Sequence, residues 1–210
     1  MRLKAPRVPT AASAAFGANV GPRVLPGTYT VRMSKDKNVY TTQLVITGDP
    51  RSKYTPADRK AQFDLSMKLY NLLTDMTFAV DRLNGVRLAL EASAARLPAN
   101  DPLAARLRAA SSEIDLMRKK IVATKEGGAI TGEERLRENL ADLYSNVLNY
   151  EGKPTAAQLA RTDAITRELA DVVRDFDAWL AKELTGLNAA LSAKQLDPIK
   201  VVTRAEWEKE

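Results

Sequence analysis

The apolar residues of this chain recur at three- and four-residue steps over most of its length, and this spacing constrains the fold more than any other feature. Steps of this kind place one apolar stripe along an α-helix. The longest unbroken stripe consists of Phe63, Met67, Tyr70, Leu73, Met76, Val80, Leu83, Val86 and Leu90. A helix of about 40 residues spans about 60 Å. We therefore expect other helices beside it to cover its stripe.

Capping and turn residues divide the helical part of the chain, the long first helix included, into four helices. A capping residue followed by proline, or by an acidic or amide side chain three positions later, marks a helix N-terminus. Such signals occur at Thr55-Pro56, at Asp101-Pro102, at Thr131 with Glu134, and at Thr155 with Gln158. The expected ends are Pro98, the sequence Glu126-Gly127-Gly128, Gly152 and Pro198.

The three later helices carry stripes of the same heptad-like kind, which predicts left-handed packing at shallow angles. The stripes are Leu103, Leu107, Ala110, Ile114, Met117 and Ile121; then Leu136, Leu140, Leu143, Val147 and Tyr150; then Leu159, Ile165, Leu169, Val172, Phe176, Leu180, Leu184, Leu187 and Leu191. Helices two and three together match the length of helix one or helix four. The predicted fold is mainly α: a long antiparallel bundle of three layers with a broken middle arm. A four-helix bundle is the alternative.

A β-hairpin is predicted before the helices, in LPGTYTVRMSKDKNVYTTQLVITGDPR, residues 25–51. Apolar residues alternate with polar ones in two short runs, so each strand has one more apolar face. Those apolar positions are Tyr29, Val31, Met33, Tyr40, Leu44 and Ile46. A single hairpin is marginally stable in water. The strands are therefore expected to pack against the helices or to belong to a sheet whose other strands are absent from this chain.

The chain is expected to divide into four parts: a disordered lead-in (1–20), the hairpin element (21–51), the helical bundle (55–197) and a charged tail (198–210). The lead-in begins with Arg2 and Lys4, but Pro6 and Pro9 interrupt it and no apolar run follows. We therefore expect no signal peptide. No apolar stretch reaches the roughly 20 residues of a membrane-spanning helix.

The positive charge of the chain is concentrated near its start. Residues 1–55 hold nine Lys and Arg against Asp36 and Asp49, a net charge of +7, and the remaining residues hold 23 basic and 24 acidic side chains, a net charge of −1. Sequence-independent binding of nucleic acid needs clustered contacts to phosphate. The helices are therefore not expected to bind nucleic acid.

The chain has few side chains suited to catalysis, because it contains neither His nor Cys. Their absence excludes nucleophiles paired with His and sites built on Cys. The acidic residues Glu168, Asp171 and Asp175 lie on one side of a helix. We interpret them as solvent-exposed charges beside the apolar face of that helix. We predict no catalytic, cofactor-binding or metal-binding residues.

Three large aromatic side chains in the later part of the chain need an interpretation. Phe176 and Trp179 fit helical spacing and are interpreted as core. Trp207 stands in a polar tail, where its indole either covers a partner or folds back on the bundle.

The stretch GPRVLPGTYTVRMSKDKNVYTTQLVITGDPR, followed by AQFDLSMKLY, resembles the C-terminal region of large bacterial proteins known as BNR-repeat or sortilin-like (VPS10-like) glycosyl hydrolases. In that family a β-propeller precedes a short sandwich-like element with a PGTYTVRL-type strand, and a helical tail follows. Residues 26–32 match the strand, Tyr40 and Leu44 match its partner, and residues 49–51 match its exit. The resemblance covers roughly residues 21–200. The family tends to have Asp-Gly at the turn, where this chain has Asp36-Lys37. If the turn is unchanged, a cost in backbone strain is expected at Lys37; the alternative is that the longer turn adopts another form.

The resemblance implies a detached C-terminal accessory or interaction module that is not an enzyme, in which the hairpin is the remnant of a sandwich whose other strands lie elsewhere. It implies export to the periplasm or the cell exterior. Expected partners are a β-propeller protein, or another copy through the hairpin edge or the helices. The expected contact residues are Tyr29, Val31, Met33, Tyr40, Leu44, Ile46 and Trp207. The alternative is an independent helical adaptor or oligomerisation protein.

Overall fold

The computed structural model describes residues 1–12, 17–127 and 131–209. Within them, an antiparallel hairpin precedes a helical bundle, so the mainly helical fold predicted from the sequence is confirmed. The elements are β1 (Gly27–Lys35), β2 (Asn38–Ile46), α1 (Pro56–Ala95), α2 (Pro102–Ile121), α3 (Leu136–Asn149), α4 (Ala156–Trp179), α5 (Thr185–Ala193) and α6 (Arg204–Trp207), with a π-helical turn, Leu180–Leu184, between α4 and α5.

Helices α1 and α4 run parallel to each other as the two long outer arms. Lys68 pairs with Asp163 at 2.8 Å, and Arg82 pairs with Asp177 at 2.9 Å. In both pairs the partners are 95 positions apart in the sequence. A constant offset of this kind requires two helices with the same direction and a fixed register.

Helices α2 and α3 lie one after the other along α1 and run against it. The hydroxyl of Ser111 in α2 donates to Glu91, near the end of α1, at 3.0 Å. The amide of Gln62, near the start of α1, donates to the carbonyl of Val147, near the end of α3, at 2.7 Å. This is the predicted three-layer bundle with a broken middle arm, and it is not the four-helix alternative.

The core lies along the shared seam of the arms and contains most of the predicted stripe residues. The largest side chains with almost no exposure are Leu69, Leu73, Met76, Leu83, Leu90, Leu107, Ile114, Ile121, Leu140, Tyr144, Ile165 and Phe176. Leu159 was predicted to belong to the buried stripe of the fourth helix, and this is wrong because its side chain is 48% exposed. Its helix buries Thr162 and Ile165 instead, so the stripe begins one turn later.

Three of the four predicted helix starts are correct. Thr55 and Thr155 form capping boxes with Asp58 and Gln158, and the Asp101 carboxylate accepts a hydrogen bond from the backbone N–H of Leu103. The third helix was predicted to start at Thr131 with Glu134, but α3 starts at Leu136. The carboxylate of Glu138 accepts from the Arg135 N–H at 3.0 Å and so performs the capping role. Of the predicted break at residues 126–128, Gly128 lies outside the described residues.

The fourth predicted helix is continuous in direction but is interrupted by the π-helical turn. The buried positions of α4 follow a heptad up to Phe176 and Trp179. Leu187 and Leu191, the buried residues of α5, come one position later than the heptad requires. The π-helical turn absorbs this extra residue, which keeps both leucines on the buried face. Helix α5 ends at Ala193, before the predicted limit at Pro198.

The lead-in differs from the disordered segment that its composition suggested. Pro6 and Pro9 are buried, and the buried guanidinium of Arg137 donates to the carbonyl of Pro9 at 2.8 Å. The backbone N–H of Leu3 donates to the carbonyl of Pro22 at 2.8 Å. A Cβ on Gly21 would lie 2.2 Å from the Leu3 carbonyl oxygen, so this close crossing requires glycine. Composition indicated disorder, but in the described parts of the lead-in Pro6 and Pro9 are buried and the Pro9 carbonyl contacts the bundle.

The charged tail also packs on the bundle over the residues that the structure describes. Ile199 is buried, and the side chain of Asn188 pairs with both the N–H and the carbonyl of Ile199, at 2.8 and 3.1 Å. The tail then forms α6, which buries Trp207. The bundle therefore extends beyond its predicted limit at residue 197.

Candidate interaction surface

The hairpin places its apolar residues on one face of a two-stranded ribbon. In the register of the strands, Tyr29 lies opposite Leu44, Val31 opposite Thr42, and Met33 opposite Tyr40. Residues two apart in a strand share a face. We call this surface the hairpin face; it consists of Tyr29, Val31, Met33, Tyr40, Thr42, Leu44 and Ile46.

The opposite face of the ribbon is mainly polar. The Thr30 hydroxyl and the Gln43 amide are hydrogen-bonded across the strands at 3.2 Å. The other residues of this face are Thr28, Arg32, Ser34, Val39, Thr41 and Val45. The ribbon therefore has the alternation of a strand pair that is buried on one face and solvated on the other.

Beyond its base, the hairpin face is not covered by any described part of the chain. Val31 is 40% exposed, Met33 56%, Tyr40 53% and Leu44 42%. Only Tyr29 and Ile46, at the base of the ribbon, are half-buried, and every other strand residue is exposed. The sheet of the described residues has two strands, so both of its edges carry unpaired backbone groups. Six of the seven predicted contact residues thus lie together on one exposed surface.

The base of the ribbon is attached to the end of the bundle. Glu151 pairs with Arg23 at 2.7 Å and with Arg59 of α1 at 3.3 Å. The hydroxyl of Tyr29 donates to the carbonyl of Leu25 at 2.6 Å. A cavity of about 250 Å³ lies at this junction, lined by residues that include Leu25, Ile46, Arg59, Phe63 and Leu148. The ribbon is therefore held at its base and stands clear of the helices beyond it.

This anchor has no signal in the sequence, because Arg23, Arg59 and Glu151 lie far apart in the chain. No local pattern joins residues that meet only through the fold.

The turn of the ribbon places its backbone strain at a different residue from the one expected. Asp36 has a φ of 54°, in the left-handed region, and Lys37 does not have a positive φ. Asp tolerates the left-handed region better than most residues, because its short side chain can bond to the local backbone. The turn therefore has the other form that the sequence left open, and the cost at Lys37 expected for an unchanged turn does not arise.

Trp207, the seventh predicted contact residue, lies elsewhere and is buried. Its indole N–H donates to Asp81 of α1 at 2.8 Å, and its ring centre lies 5.5 Å from that of Phe78. Of the two alternatives left open by the sequence, the structure shows the indole folded back on the bundle. A buried side chain offers no surface to a partner, so we omit Trp207 from the interaction surface.

The acidic residues of α4 form ion pairs along the helix surface. Asp171 pairs with Arg174 at 2.6 Å, and Asp175 pairs with Lys120 at 3.5 Å. Within residues 1–12, 17–127 and 131–209, no group of three or more acidic side chains is placed to hold a metal ion. Phe176 and Trp179 are core residues, as predicted, and the Trp179 indole donates to Glu113 at 2.7 Å.

Comparisons of the chain with protein-family models, with curated proteins and with solved structures found no match. In the described part of the chain, no helix combines the length and the apolar character needed to cross a membrane. The geometry of the hairpin therefore carries the functional interpretation.

Proposed function

We propose that the chain is a non-catalytic interaction module that docks on a partner protein through the hairpin face. The observation that carries this proposal is the apolar face of two nine-residue strands, left uncovered by the described chain. Contiguous exposed apolar surface on a soluble protein marks interaction sites. A two-stranded ribbon also gains stability when another layer covers it.

The resemblance noted in the sequence suggests which proteins to test as partners. A BNR-repeat or sortilin-like protein would present the remaining strands of a sandwich, and the hairpin would add to them as an accessory element. Two modes are available: packing of the hairpin face on a sheet, and pairing of a hairpin edge with another strand.

An independent helical adaptor is less well supported. That alternative expects the hairpin to pack on its own bundle. The exposure of Val31, Met33, Tyr40 and Leu44 argues against such packing.

The proposal is tested by calorimetric titration into a BNR-repeat, sortilin-like protein truncated just before its own PGTYTVRL-type strand. We expect saturable binding to the truncated protein and none to its full-length form, whose own hairpin occupies the site. Absence of binding to the truncated protein would contradict the proposal.

Two matched variants locate the contact. Val31→Asp places a charge on the hairpin face and should abolish binding, whereas Val45→Asp places the same charge on the opposite face and should not. Both valines are exposed, so neither change should disturb the helices. Equal effects of the two changes would show that the hairpin face is not the contact.

A further inference from the structure

We propose that the surface recognised by the hairpin face is an apolar β-sheet face edged by acidic side chains, and that it is not a second copy of this chain. This inference rests on the proposed function, because it specifies the partner of the same hairpin face. Three properties of the ribbon carry it: its unpaired positive charge, the charge of its base, and its free edges.

The basic side chains of the ribbon lack partners within the part of the chain that the structure describes. Residues 27–46 contain Arg32, Lys35 and Lys37 against Asp36, and none of these four residues forms an ion pair there. Elsewhere in the bundle, many basic residues do form such pairs, among them Lys68, Arg82, Arg174 and Lys194. The ribbon therefore offers unmatched positive charge to whatever covers it.

Two of these basic residues, Lys35 and Lys37, lie at the tip end of the hairpin face, whereas Arg32 lies on the opposite face. Lys35 follows Tyr29, Val31 and Met33 on that face and is paired in register with Asn38. Lys37 occupies the turn, next to Lys35 and Asp36. A partner that covers the apolar residues must therefore meet these ammonium groups at one end of the contact. Opposite charge on the partner would stabilise the contact and speed its formation.

A second copy would bring like charges together in either orientation. In a parallel face-to-face contact, the Lys35 ends of the two copies meet. In an antiparallel contact, each Lys35 end lies over the base of the other ribbon. Beyond that base lie Arg51 and Lys53; Arg51 is paired with Asp49, but Lys53 has no ion pair within the described residues. Juxtaposed like charges disfavour both arrangements.

A membrane surface fits the ribbon less well than a sheet. The turn residues at the tip, Asp36 and Lys37, are charged and would have to enter the membrane first. Each free edge also presents unpaired backbone groups, which lipid cannot satisfy. Against a sheet at about 10 Å, the apolar side chains interdigitate while the edges stay in water or pair with a neighbouring strand.

The test uses a copy of this chain altered to have the chemistry proposed for the partner. The double variant Lys35→Glu, Lys37→Glu keeps the apolar residues of the hairpin face but gives that face an acidic end; we call it the acidic-hairpin variant. In sedimentation velocity, we expect the wild type and the acidic-hairpin variant each to be monomeric alone. Mixed, they should form a one-to-one complex whose dissociation constant rises at least about tenfold between about 50 and about 500 mM NaCl, because salt screens exposed charges.

The face variants control for where the mixed complex forms. Val31→Asp in the wild-type partner should abolish the complex, and Val45→Asp should leave it intact. Circular dichroism of every variant should show unchanged helix content, since all the substituted residues are exposed strand or turn residues.

Each other outcome overturns the inference. A wild-type dimer sensitive to Val31→Asp would identify the partner as a second copy. Flotation with vesicles of phosphatidylcholine and phosphatidylserine, lost in Val31→Asp, would identify a membrane surface. Absence of a mixed complex, or a complex insensitive to salt, would remove the acidic edge from the proposal. If the truncated sortilin-like protein still bound in that last case, the proposed function would stand and this inference alone would fail.

Discussion

The guanidinium carbon of Arg7 lies 4.4 Å from the ring centre of Trp207, although the two residues are 200 positions apart in the sequence. The guanidinium also donates to the Trp207 carbonyl at 3.3 Å. The Arg204 guanidinium contacts the same indole ring at 5.0 Å and pairs with Asp75 of α1 at 2.9 Å. The two terminal segments thus hold each other on the surface of α1.

Removing the Arg7 side chain should loosen this contact without unfolding the bundle. In a Trp179→Phe background, Trp207 is the one tryptophan of the chain. Arg7→Ala should shift its fluorescence to longer wavelength and speed amide exchange in α6, because a cation–π contact near the surface contributes about 0.5–1 kcal/mol. Arg7→Lys, which keeps a cation, should have a smaller effect. An unchanged emission spectrum in Arg7→Ala would show that the contact contributes nothing.

The loop before α3 should respond to pH through Glu133. The backbone N–H of Thr124 donates to its carboxylate at 2.8 Å, and the guanidinium of Arg135 binds it as well. These interactions lower the pKa of Glu133 from 4.5 to about 2. Because the pKa is lower in the folded state, the stabilisation is present above pH 4.5 and is lost as the pH falls toward about 2.

Urea unfolding as a function of pH checks this expectation. Glu133→Gln should be less stable than the wild type at neutral pH, and the difference should shrink as the pH falls through that window. Glu134→Gln removes an exposed carboxylate one position away and should show no such difference. A gap between wild type and Glu133→Gln that stays constant with pH would rule out the carboxylate as its cause.

Two leucines of α4 should differ sharply in their contribution to stability. Leu169 is 4% exposed and Leu159 is 48% exposed. Leu169→Ala should lower the free energy of unfolding by about 2–5 kcal/mol, because it leaves a cavity in the core. Leu159→Ala should change it by less than about 0.5 kcal/mol. Chemical denaturation measures both, and similar losses would contradict the placement of the stripe.

The hairpin turn should favour glycine at position 36 and not at position 37. Asp36→Gly relieves a left-handed residue and should slow amide exchange in β1 and β2, with a gain of up to about 1 kcal/mol. Lys37→Gly relieves no positive φ and should speed exchange, because glycine increases the freedom of the unfolded chain. The reverse order would mean that residue 37, and not residue 36, adopts the left-handed conformation.

Local patterns predicted the parts of the fold that local interactions determine. The Thr155 cap with Gln158 and the ladder of buried residues from Leu73 to Leu90 follow from neighbours a few positions apart. The broken middle arm followed from helix lengths, because α2 and α3 must share the side of α1. The alternation of β1 and β2 likewise identified the hairpin face from its six apolar residues.

The remaining features depend on contacts between distant residues. Trp207 is held by contacts with Arg7 and Asp81. The described parts of the lead-in are held by Arg137, which donates to the carbonyl of Pro9, and by Tyr144, whose hydroxyl donates to the carbonyl of Val20 at 2.9 Å. The start of α3 was predicted at Thr131 with Glu134, but the helix begins at Leu136, where Glu138 accepts a hydrogen bond from the Arg135 N–H. For Trp207 and the lead-in, the polar partners lie far away in the sequence, so no short window contains them.

The π-helical turn at Leu180–Leu184 accommodates one residue more than the seven-residue repeat of the helix requires. The buried positions up to Trp179 follow one heptad register, and Leu187 and Leu191 follow a register shifted by one residue. None of the residues within the turn is buried. A chain shortened by any one of them would carry a single unbroken repeat from Ile165 to Leu191. The long arm therefore contains one residue more than a regular coiled-coil helix of the same number of repeats, and the π-helical turn accommodates that residue without burying it.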